Sequence, residues 1–112
     1  MLKDKIYRSE KHRRFVADLP CCMCESPDVQ AAHIRHQTGG GMGLKPGDNW
    51  CIPLCVACHG EQHRVGELKF FPDIDRAKWL ALKLFERTGD SAIGNMAITV
   101  FNNGVLRERG SS

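Results

Sequence analysis

Two clusters in this chain have residue types and spacings that do chemistry. The run N-W-C-I-P-L-C-V-A-C-H-G-E-Q-H, Asn49 to His63, joins a CxxC pair (Cys55, Cys58) to two histidines four apart (His59, His63). On a helix, residues four apart share one face, so two imidazoles at this spacing can hold one cation. A CxxC pair is half of a tetrahedral thiolate site, and Cys21 and Cys24 supply the other half upstream. Together they form C-x2-C…C-x2-C, able to bring four sulfurs to one structural Zn2+ at about 2.3 Å each. The 30 residues between the pairs exceed the roughly 15 to 20 of a usual zinc ribbon, which fits a two-stranded excursion between the knuckles. Cys22 and Cys51 are left over; either can substitute as a ligand, Cys51 reading better as a small buried strand residue.

A third imidazole, His33, stands between the knuckles. A neutral imidazole, with a pKa near about 6.5, is suited to taking a proton from water at neutral pH. The run His59-Gly60-Glu61-Gln62-His63 superficially resembles a zinc-protease helix, but that motif needs its glutamate immediately after the first histidine. Glu61 is two residues along, on the far side of the helix, which argues against a protease.

The elements that must position these groups can be placed along the chain. Ser9 is set to cap a helix running toward Leu19, with Phe15, Val16 and Leu19 as its apolar stripe and Pro20 ending it. Val29 to Arg35 reads as a strand, Thr38 to Asp48 as a glycine-rich surface loop, and Trp50 to Leu54 as the return strand. The helix of His59 and His63 follows, closed by Gly66. The middle is therefore ββα, with His33 on the first strand facing the histidine pair. After Pro72, Asp73 or Asp75 caps a second helix to about Thr88, ended by Gly89, whose apolar residues leave only a narrow polar edge. Beyond Ser91 the pattern predicts a strand over Met96 to Phe101, a hairpin turn at Asn102-Asn103-Gly104 and a return over Val105 to Arg107.

At 112 residues the chain is one domain, small enough that a structural metal matters to its stability. No apolar run approaches the roughly 20 residues of a membrane span and no secretory h-region follows the basic start, so the expected compartment is cytoplasmic. There, six cysteines read as metal ligands before disulfides. The net charge of +3 is unevenly spread. Residues 1–14 carry six Lys/Arg against two acids, a net of +4, leaving −1 for the remainder. A basic arm of this kind suits a polyphosphate backbone.

Taken together, CxxC, then A-H-I, a glycine-rich loop, and D-N-W-x-I-P-L-C-x-x-C-H-x-x-x-H resemble the HNH (His-Me finger, ββα-metal) endonucleases. Within that group they resemble small phage and prophage members related to recombination-associated nucleases. The likeness covers about residues 10 to 67 and implies an α+β fold, a small zinc-stabilised ββα-metal core with flanking helices. It implies a nuclease domain over residues 1–90 and a C-terminal extension over 91–112. By this resemblance His33 is the general base, Asn49 braces the ββ loop, His59 is a metal ligand and His63 the additional ligand one turn later. Arg35, Lys45, Lys11, Arg13 and Arg14 are the expected phosphate contacts. The implied activity is metal-dependent DNA hydrolysis of low sequence specificity, with Mg2+ or Mn2+ as catalytic ion, DNA as substrate, and a recombinase or phage DNA-processing protein as an accessory partner. Many members carry Asp or His directly before the base as a further ligand; here that position is Ala32, so water and phosphate, or His36 or Asp48, complete the set. The competing class is a noncatalytic zinc-dependent nucleic-acid-binding or phage assembly module.

Overall fold

A computed structural model of the chain describes residues 7–38 and 46–109, with side chains through Gly104. The Ser9 side chain accepts from His12 N at 3.1 Å and starts α1, Glu10–Ala17, as its place before a polar and apolar alternation predicts. Phe15, Val16 and Leu19 bury the apolar stripe. After the first cysteine knuckle come β1, Val29–His33, a single helical turn at Asp48–Trp50, and β2, Cys51–Cys55, paired antiparallel to β1. Trp50 belongs to that turn rather than to the strand. The glycine-rich stretch expected as a loop, with Lys45, falls largely outside the described residues.

The strand register decides where the chemistry sits. Val29 pairs with Cys55, and His33 pairs with Cys51, so the knuckles lie at one end of the hairpin and His33 at the other. Four strand steps span about 13 Å. From Cys55 the chain turns directly into α2, Val56–Val65, which runs back beside the sheet. Eight helical steps cover about 12 Å, so His63 returns to the His33 end. Gly66, at φ +90°, closes α2 in a backbone region that L side chains rarely adopt. A short helix not foreseen from sequence, α3 (Glu67–Phe70), follows.

Asp73 caps α4, Ile74–Glu86, accepting from the backbone N–H groups of Asp75 and Arg76. Ala77, Leu80, Ala81 and Leu84 form its buried face. The expected C-terminal strand and hairpin are not formed. Residues Ser91–Arg109 are one helix, α5, with Asp90 Oδ1 accepting from Ile93 N at its start. Ala97, Ile98 and Phe101 fall on one helical face and enter the same apolar core as α1, β2 and α4. Tertiary burial outweighs the β-branched residues and the Asn-Gly turn signal here. Both interior glycines are sites of close approach. A Cβ at Gly94 would lie 3.2 Å from Leu19 and Phe15, and one at Gly104 would lie 2.5 Å from the Arg76 guanidinium.

Asn102, expected in a turn, is buried and ties α5 to the first knuckle. Its Nδ2 donates to Cys22 O at 2.9 Å and Met23 O at 3.4 Å. Asn102→Leu should leave buried carbonyls without this donor and cost about 1–3 kcal/mol, read as a lower denaturant midpoint at constant slope.

His12, on the inner face of α1, is fully buried against Phe15 and Phe85. The Thr88 hydroxyl donates to Phe85 O at 3.0 Å and so accepts from His12 Nδ1–H at 2.7 Å. Protonating His12 Nε2 would bury an N–H with no acceptor. Burial, partly opposed by the Asp48 charge, holds the His12 pKa below 6.5. The unfolded chain therefore takes up the extra proton. Stability contributed by neutral His12 should be complete above about pH 6.5 and decline as pH falls through that value toward the lowered folded pKa. Denaturation series across this range should show a shallower acid loss in His12→Gln than in the parent.

Candidate metal centre and cleft

Cys21 and Cys24 sit in a tight turn in which Cys21 O accepts from Glu25 N at 2.8 Å. Cys55 ends β2 and caps α2, its Sγ accepting from Cys58 N at 3.4 Å. All four sulfurs lie within 4.8 Å of one another. The Cys24–Cys55 and Cys24–Cys58 sulfur separations are 3.6 and 3.8 Å. Four thiolates at about 2.3 Å from one tetrahedral ion stand about 3.8 Å apart, so the donor set fits zinc. The four thiols are also electrostatically unequal. Burial, followed by the Cys55 neighbour, pushes the Cys58 thiol far up, whereas Cys55, despite its own burial, is held below the ordinary thiol range by the Cys58 N–H and the adjacent sulfurs. Neither Cys22 nor Cys51 joins this cluster. Cys22 is buried with its N–H on Pro53 O, and Cys51 lies beside His33 and Asp48 at the other end of the sheet.

At that other end a cleft of about 510 Å³ is lined by His33, Arg35, His59, His63 and Ala31, with Glu10, Arg13, Arg14 and Ala17 as the facing wall on α1. The Nε2 atoms of His59 and His63 stand 3.2 Å apart. Two nitrogens at about 2.1 Å from one ion, subtending a right to a tetrahedral angle, are about 3.0–3.4 Å apart, so this pair has the separation of two ligands. The side-chain oxygen of Gln30 lies 2.7 Å from His59 Nδ1 and must accept its proton. That fixes the tautomer with its lone pair on Nε2, toward His63. Burial first, then the nearby His63 and His33, keep the His59 pKa below that of a free imidazole, favouring the ligating form.

His33 is largely buried, and its Nε2 lies 2.9 Å from Asp48 Oδ1. Asp48 is nearly inaccessible: Oδ2 accepts from Ser9 N at 2.7 Å and from Arg13 Nε at 3.0 Å, while Arg8 Nη1 lies 3.5 Å from Oδ1. Burial works against its charge, but the Ser9 N–H, the His33 ring and Arg13 together hold its carboxyl below the usual carboxylate range. His33, Asp48 and Cys51 are close enough to share an ion, yet both Asp48 oxygens already serve N–H donors.

The remaining expected residues divide. Asn49 stays in the turn before β2, where its side-chain oxygen sits over Gly47 and a Cβ on Gly47 would collide with it. It lies outside the cleft wall, and its neighbour Asp48 is the side chain that meets His33. Arg35 lines the cleft, its backbone N–H held by Glu67 Oε2 at 2.7 Å. Arg13 and Arg14 reach the rim while engaged with Asp48 and Glu10. Lys11 is exposed on α1 away from the cleft, and Lys45 lies outside the described residues. Ala32 is fully buried and takes no part in the cleft wall. Gln30 and Glu67 are hydrogen-bonding partners that the sequence does not mark, and Asp48, a candidate metal ligand by sequence, is instead the partner of His33. Their sequence signals are only polar residues beside a strand, a turn and a helix start, and the pairings appear once the hairpin register is fixed.

Residues 1–71 match the model of a family described as a protein of unknown function, DUF968. The chain belongs to that family. The DUF968 match covers both knuckles and every histidine of the cleft, and leaves α4 and α5 outside it. An uncharacterized protein, YdfU, of Escherichia coli (strain K12) is 36% identical over 61 residues, which is 54% of this chain. The aligned region is only 18% of YdfU. No solved structure matches the chain. Among the described residues, no helix is long and apolar enough to cross a membrane.

Proposed function

We propose that this DUF968 chain is a metal-dependent DNA endonuclease built on a zinc-pinned His-Me finger core. The observation that carries the reading is one cleft lined by His33, His59 and His63, with two imidazole nitrogens at ligand separation. His59 and His63 would hold a divalent cation, whose chemistry there is neutralisation of charge on a phosphodiester and on the departing oxygen. His33 takes a proton from the attacking water. The water oxygen bonds to phosphorus, the P–O3′ bond breaks, and the 3′ oxygen takes a proton from solvent, leaving a 5′ phosphate. Arg35 clamps a phosphate oxygen, with Arg13 and Arg14 on the rim. Such contacts read the backbone, so sequence preference is weak. Mg2+ or Mn2+ is the ion the family resemblance implies; two imidazoles favour a nitrogen-binding ion.

Ala32, buried in the core where many members carry a further metal ligand, favours the second reading, a zinc-dependent nucleic-acid-binding module without turnover. Supercoiled plasmid separates the two. The first expects nicking with Mg2+, Mn2+, Ni2+ or Zn2+ that EDTA abolishes. Retarded plasmid without open-circle product, across all four ions, supports the second.

A further inference from the structure

We infer that Asp48 is the positioning residue that selects which nitrogen of His33 acts as the base. This rests on the nuclease reading for its consequence in catalysis, but its geometry stands apart from it. Asp48 approaches His33 at Nε2, and an ionised carboxylate can only accept. Nε2 therefore carries the proton, and Nδ1 is left with the lone pair. The carboxylate cannot swing away, because its second oxygen accepts from Ser9 N, at the cap of α1, and from Arg13 Nε on the helix. Helix α1 thus sets the rotation of the base through Asp48, across a sequence separation of 15 residues to His33 and 35 to Arg13.

One O–H bond of water breaks and its proton forms a bond to His33 Nδ1. The imidazolium keeps its Nε2–H on Asp48, which stays ionised, and the proton later passes from Nδ1 to solvent. Asp48 touches no reacting atom; it holds the tautomer and stabilises the cation that His33 becomes.

Replacing Asp48 by Asn gives a sharp outcome because of the neighbours. Ser9 N and Arg13 Nε need an oxygen acceptor, so the amide oxygen takes the place of Oδ2 and the amide NH2 turns to His33. Its Nε2 must then accept, which moves the ring proton to Nδ1 and blocks the base. In 15N-labelled, zinc-loaded protein, long-range 1H–15N correlation spectra should show His33 as the Nε2–H tautomer in the parent and as Nδ1–H in Asp48→Asn. Plasmid nicking should fall about 100- to 10,000-fold in kcat with KM for DNA little changed. A parent spectrum showing His33 as Nδ1–H overturns the inference without any variant, so it stays testable if Asp48→Asn does not fold. Nicking at the parent rate by folded Asp48→Asn overturns it as well. If the parent cuts no DNA the nuclease reading fails, while the tautomer pair still decides the role of Asp48.

Discussion

Cys55→Ser should be recovered without stoichiometric zinc and without a cooperative unfolding transition, whereas the parent should carry about one firmly held zinc per chain. Cys55 ends β2, caps α2, and sits within hydrogen-bonding distance of both Cys24 and Cys58. Losing it removes one of four thiolates and the sulfur that accepts the Cys58 N–H. Structural zinc in small domains is worth about 10–16 kcal/mol in apparent binding free energy. That matches or exceeds the roughly 5–15 kcal/mol of net stability of an ordinary domain, so loss of the ion is expected to unfold the chain. The hairpin register begins at this knuckle through the Val29–Cys55 pair, so the cleft at the far end should be lost with it. Metal analysis beside circular dichroism checks the claim; a folded, reduced Cys55→Ser protein with native melting would refute it.

His59→Ala should separate the second ion from the first. The variant keeps its zinc and fold, because His59 is only partly buried and its direct hydrogen-bond partners are Gln30 and His63. It loses the paired nitrogens. In titrations of zinc-loaded protein with Mn2+ or Ni2+, the parent should bind one further ion and the variant none measurable over the same range. Nicking should fall at least about 100-fold, the scale of removing one preorganised charge-stabilising group. His63→Ala should behave alike, since two ligands at 3.2 Å act as a unit. Unchanged ion binding in both variants would place the cation elsewhere.

The parts of this molecule written in short-range pattern were legible from sequence. Ser9 and Asp73 cap helices where a polar residue precedes an apolar repeat, and Gly66 ends α2 through a positive φ. The CxxC spacing placed four sulfurs together because each pair is a local turn, and the hairpin between them has one register that brings the pairs side by side. The His59/His63 face followed from the helical period alone. Long-range contacts were not legible. Residues Met96 to Gly104 carry β-branched and turn-forming types, and the core contacts of Ala97, Ile98 and Phe101 make them helical. In sequence Asp48 and Asn49 are two adjacent polar turn residues, Asn49 read as the brace of the loop and Asp48 as an alternative metal ligand, neither as the partner of His33. Only the approach of α1, which brings Ser9 N and Arg13 to the carboxylate, distinguishes them. The basic arm was legible as charge but not as partners: Arg13 is engaged with Asp48, and Arg14 with Glu10.

His33 shares a cleft with the His59/His63 pair while Asp48 secures its ring. The most direct measurement is the rate at which zinc-loaded parent and His33→Ala convert supercoiled plasmid to open circle, at matched DNA occupancy and saturating divalent ion. The expected result is metal-dependent nicking by the parent and a fall of about 100- to 10,000-fold in the variant, with zinc content and DNA affinity retained. Equal rates for the two proteins would contradict it.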